Sequence, residues 1–191
     1  MKKLTIFAVS TFLFASCGLN NITEDEATEG WTVASAPLAE GQEKLQEKAT
    51  ENVSKLLGGE TISHTVHCDE AGRLKFTLKA TFDSDAGMSS EPKVDLKANY
   101  NDCEDNQVVV NGHLTIDSPQ FSNFMPGGGS GDGDTEGPTV VTYIGHLDYT
   151  KDVDGPCDVN MDAEIPASGG RPTYSGRLCG YDAGDLLNTA F

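Results

Sequence analysis

The stretch Leu74-Lys75-Phe76-Thr77-Leu78-Lys79-Ala80-Thr81-Phe82 decides the fold. Apolar and polar residues alternate through all of it. Only an extended strand, whose successive side chains point to opposite faces, gathers Leu74, Phe76, Leu78, Ala80 and Phe82 on one side. That side is buried, and Lys75, Thr77 and Lys79 face water. The pattern recurs downstream. Val94, Leu96, Ala98 and Tyr100 alternate with Asp95, Lys97 and Asn99. Val108, Val110, Leu114 and Ile116 share a face, as do Val141, Tyr143, Leu147 and Tyr149, and then Cys157, Val159, Met161, Ala163 and Ile165. Shorter strands are expected at 61–68 and 173–179. Turn formers separate these runs at Asp85-Ala86-Gly87, Asn101-Asp102, Asp154-Gly155-Pro156 and Ser168-Gly169-Gly170.

Seven strands without intervening helices predict an antiparallel sheet over 60–191. One buried face per strand requires the sheet to fold on itself or be covered. A sandwich and a curved or barrel-like sheet both satisfy this. Upstream, Leu45, Ala49, Val53, Leu56 and Leu57 recur at helical steps, which predicts one amphipathic helix over 37–59. Pro37 suits its first turn and Gly58-Gly59 its stop. Its narrow apolar stripe fits a helix lying on a sheet. The preceding residues are acidic at Glu24, Asp25, Glu26 and Glu29 and show no apolar period, so 17–36 reads as a flexible tether. Trp31, the one tryptophan, is expected to dock on the domain.

Residues 1–16 have the form of a secretory signal. Lys2 and Lys3 precede an apolar run from Leu4 to Ala15, too short for a comfortable membrane span, and small residues follow. Leu13-Phe14-Ala15-Ser16-Cys17 resembles the bacterial lipobox, matching at Ala15, Ser16 and Cys17, with Phe14 where the family has Leu. That resemblance to bacterial lipoproteins implies a diacylglycerol on the Cys17 thiol, cleavage before it, and often acylation of the new amine. Two or three chains, at ~0.8 kcal/mol per buried methylene, anchor stably where one does not. Gly18 lacks the Asp that resembles an inner-membrane retention signal, so the resemblance implies the outer membrane.

The chain carries 30 Asp and Glu against 13 Lys and Arg, a formal charge of −17. Loss of residues 1–16, with two lysines and no acid, makes it −19. Such a chain is repelled by nucleic acid. Divalent cations and basic proteins stay chemically compatible partners.

Beyond Cys17, Cys68, Cys103, Cys157 and Cys179 form an even set, which in an exported domain implies two disulfides. Of three connectivities, Cys68–Cys103 and Cys157–Cys179 are preferred, because each joins nearby strands and closes a moderate loop. A zinc site at His64-x-x-His67-Cys68 is not expected, since a strand turns His67 away from the other two. The Gly- and Asp-rich loop 125–138 places Asp132, Asp134 and Glu136 at alternate positions, but Tyr143 stands where a calcium loop needs its twelfth-position Glu. Asp148, Asp152, Asp154 and Asp158 form a second acidic group around a turn, read as solvated.

Gly-basic-or-His-Leu occurs at Gly72-Arg73-Leu74, Gly112-His113-Leu114, Gly145-His146-Leu147 and Gly176-Arg177-Leu178. The favoured reading is a glycine at a bulge or bend in each strand with the polar residue outward. No nucleophile elbow, zinc-protease helix or phosphate-binding loop is present, so no catalytic residue and no cofactor is assigned. The expectation is a non-catalytic envelope lipoprotein that binds another envelope or extracellular macromolecule. The alternatives are a carrier of a small apolar ligand in a curved sheet and, below it, an envelope hydrolase.

Overall fold

The alternating runs form strands wherever they occur among residues 22–81, 93–119 and 137–189, which the computed structural model describes. They are β1 (Thr61–His67), β2 (Ala71–Thr81), β3 (Lys93–Asp105), β4 (Val108–Asp117), β5 (Thr139–Lys151), β6 (Gly155–Ile165), β7 (Thr173–Leu178) and the short β8 (Tyr181–Asp182). All eight lie in one antiparallel sheet in chain order. The sheet is open, with β1 at one end and β8 at the other. A short helix α3 (Ala183–Leu187) follows β8. Most of the 125–138 loop and the Asp85 turn fall outside the described residues.

Burial follows the alternation. Leu74, Phe76, Leu78 and Ala80 of β2 are buried on the inner face, joined by Leu96, Ala98 and Tyr100 of β3 and Leu114 and Ile116 of β4. What covers them is a helix longer than the sequence suggests, α1 (Glu24–Glu51). It crosses the whole sheet. Tyr181 of β8 donates to the Ile22 carbonyl at 2.9 Å. The Trp31 ring meets Tyr143 of β5 edge-on, with centroids 5.5 Å apart. Tyr100 of β3 donates to the Ala34 carbonyl at 2.7 Å. Gly41 rests on the ring of Phe76 in β2, and Lys48 reaches the Ser63 carbonyl of β1 at 3.5 Å. From Ile22 to Lys48 a helix covers about 39 Å, and eight strands side by side cover about 34 Å. The helix is as long as the sheet is wide.

The tether reading of 17–36 is therefore corrected from Glu24 onward. Thr23 caps the helix in a reciprocal capping box with Glu26, and three acids in the first turn suit the positive end of the helix dipole. Ala27, Gly30, Trp31, Ala34, Leu38, Gly41 and Leu45 are buried at three- and four-residue steps. Their small members hide the stripe from a hydropathy count but allow close approach to the aromatic rings below. Pro37 sits inside the helix rather than in its first turn. It forfeits one backbone bond, and packing on both sides carries the helix through. The helical run then breaks at Asn52, whose side chain donates to the Lys48 carbonyl at 2.9 Å. A separate turn of helix, α2 (Val53–Leu57), follows.

The glycine repeat has a steric cause. A Cβ at Gly72, Gly112 or Gly145 would collide with the neighbouring strand's backbone at Asp102, His146 or His113. Gly112 also takes φ +119°, a conformation closed to other residues without strain.

Candidate functional site: the outer face of the sheet

The two faces of the sheet differ in what they leave available. On the inner face, α1 fills the space. Trp31 is 3 % exposed and Leu45 fully covered, so Trp31 docks on the domain as expected. The phenols beneath the helix are structural. Burial pushes the Tyr143 hydroxyl up to about 12 and raises those of Tyr100 and Tyr149 further, which keeps all three protonated. The Tyr149 hydroxyl is buried without a hydrogen-bond partner among the described residues.

The cysteines pair as Cys68–Cys103 and Cys157–Cys179, with Cα atoms 5.4 and 4.2 Å apart. The first clips the end of β1 to β3, and the second clips the end of β7 to β6. Cys68 is thus committed to sulfur. His67 lines a groove of about 220 Å³ beside that disulfide, with Glu40, Asp69 and Asp105. No group of three or more metal-ligating side chains converges among the described residues. Cys17, Asp132, Asp134 and Glu136 lie outside them.

The four histidines do not converge on one site; His113 and His146 are cross-strand neighbours, and His64 and His67 lie elsewhere. His64 lies toward α1, where burial first and then the charge of Lys48 push its pKa down. His113 and His146 face each other across β4 and β5 on the outer face. Two carboxylates bracket His146. Asp158 lies 2.7 Å from Nδ1 and Asp148 3.4 Å from Nε2. The Asp158 hydrogen bond, aided by the charge of Asp148, raises its pKa. On raising the pH, His64 should therefore lose its proton before His146. The stability that the charged His146 adds is complete below its unfolded value, about 6.5, and fades as pH rises through the higher folded value. Imidazole NMR titration checks the order, and His146→Gln should flatten that part of the stability profile.

The outer face carries the sheet's charge in two blocks. On β2 and β3 the outward positions hold Arg73, Lys75, Lys79, Lys93 and Lys97, five of the chain's 13 cationic residues. They face one acid, Asp95, which pairs with Lys97 at 3.3 Å. Ser63, Thr65, Asn99 and Asn101 complete a shallow groove of about 410 Å³ around Arg73 and Lys75. On β5 and β6 the outward positions hold Asp148, Asp158, Asp162 and Glu164. Between the blocks lie His113, Thr115, Thr142, Ile144 and one further acid, Asp117 of β4; Ile144 is 52 % exposed. Sequence reasoning saw each strand's alternation but not this segregation. Reading every second residue of the paired strands together would have found it.

No family model, no curated protein and no solved structure matches the chain.

Proposed function

We propose that the protein is an exported, non-catalytic envelope lipoprotein, anchored through lipid on Cys17, that docks another macromolecule on the outer face of its sheet. The observation that carries this reading is the asymmetry of the two faces. The inner one is closed by α1, and the outer one is uncovered among the described residues and charged in opposed blocks. Two disulfides fit an oxidising compartment. The lipobox resemblance at residues 13–17 supports lipid anchorage, and Gly18, where an Asp would resemble an inner-membrane retention signal, supports the outer membrane as its site. A carrier of an apolar ligand would need α1 to leave its seat on Phe76 and Tyr149.

The test is a photo-crosslinking amino acid at Asn99 or Ile144, on the outer face, compared with one at Leu57 on α2, in intact envelopes. Adducts confined to the outer positions are expected. Adducts at Leu57 alone, or none at any position, would contradict the reading.

A further inference from the structure

We propose that the occupant of the outer face is a second copy of this chain, held in a two-fold dimer whose axis lies in the interface along β4. This inference rests on the outer face being the docking surface and names what docks there.

The strand order makes the face self-complementary. The basic block lies on β2 and β3, two places and one place to one side of β4. The acidic block lies on β5 and β6, one and two places to the other side. A two-fold rotation about an in-plane axis parallel to β4 lays β2 of one copy over β6 of the other and β3 over β5. Heights along the strands are kept by this operation. The register links Lys75 through Asn99, His113 and His146 to Asp158 in one row. The rotation therefore sets Lys75 over Asp158 of the second copy. Lys79 pairs with Asp95 near one end of the sheet, and Thr142 with Asp162 near the same end. Lys79 accordingly falls over Asp162 of the second copy. Every such contact occurs twice, as an isologous interface requires.

The other in-plane axis, across the strands, would stack lysine block on lysine block and is excluded by repulsion. Along the chosen axis β4 presents Thr115 and His113, with one acid, Asp117, at the end of the strand facing its own copy; beside the axis lies Ile144, the most exposed large hydrophobic among the described residues. Asp158 is available, with its side chain 83 % exposed. The strands β2 to β6 are 10 to 13 residues long. At ~3.3 Å per residue and ~4.8 Å between strands they present on the order of 800 Å² per copy, the size of a standard specific interface. Nucleic acid fits this face poorly. The outward positions of β2 and β3 carry no aromatic ring for a base to stack on, and the rest of the molecule is acidic.

Sedimentation of the full-length protein tests the dimer, and charge exchange tests its geometry. The wild type should sediment as a dimer in 50 mM salt and dissociate toward 500 mM, because surface charges are screened within about 10 Å at 0.1 M. K75E/K79E should weaken self-association at least tenfold, and so should D158K/D162K. An equimolar mixture of the two variants should restore it, since each new charge then meets its opposite. Circular dichroism confirms that both variants are folded. A wild-type monomer at tens of micromolar in low salt would overturn the proposal whatever the variants do. So would variants that fail to recover on mixing. Heterologous adducts at Ile144 from a monomeric protein would overturn the second copy alone and leave the docking face standing.

Discussion

Reducing both disulfides is expected to remove most of the domain's stability. The bridges span 35 and 22 residues of chain. Loop-closure entropy assigns about 3–4 kcal/mol to each, and the two together approach the 5–15 kcal/mol that a typical domain holds in total. The two bridges also fix different parts of the sheet. Cys68–Cys103 ties the terminal strand β1 across β2 to β3. Cys157–Cys179 ties β7 to β6, next to the β8–α3 corner that carries Ile22 and the start of α1. Thermal unfolding with and without a strong reductant should show the melting temperature falling by more than 15 °C. Cys157→Ala/Cys179→Ala should cost less than full reduction, and the loss should appear first as freeing of the C-terminal corner. A reduced protein that melts within a few degrees of the oxidised one would show that the sheet needs neither bridge.

The second large effect lies under the helix. Phe76→Ala is expected to destabilise by about 3–5 kcal/mol, because the ring is fully buried and its loss leaves a cavity that a sheet and a long helix cannot collapse to fill. The seat on this ring is specific to Gly41, since any Cβ there would overlap it. Gly41→Ala gains about 1 kcal/mol of helix propensity but incurs an overpacking cost of about 1–3 kcal/mol. It should be net destabilising in the wild type. In the Phe76→Ala background the same change should become neutral or stabilising. Such a change of sign in a double-mutant cycle, read by denaturant unfolding, is the mark of direct contact. Additive effects would mean that the helix does not sit where Gly41 meets Phe76.

What was legible in the sequence, and what was not, follows from the same contacts. The strands were visible because the inner face is built of apolar residues, most of them large, at every second position from Leu74 to Ile165, interrupted by Gly112 and Gly145. The cysteine pairs were visible because strands one or two places apart in a meander stay close in sequence. The first half of α1 was hidden because its buried stripe is Ala27, Gly30 and Ala34. Those residues read as featureless in hydropathy, yet they are what a helix needs to lie close to Tyr149 and Tyr100. Pro37 then suggested a helix start where tertiary packing in fact runs the helix through. The choice between one sheet and two was not legible, since a lone α-helix and a second sheet bury the same alternation. The charge blocks of the outer face appear only when the strand register is known.

Export and lipid anchorage are central to the proposed function, and the two disulfides fit an oxidising compartment. Mass spectrometry of the N-terminal peptide, taken from protein made in its own host, addresses this directly. The peptide should begin at Cys17 and carry the mass of a thioether-linked diacylglycerol, with or without an amide-linked acyl chain. A peptide still bearing Met1 to Ser16, or a Cys17 with a bare thiol, would contradict that anchorage.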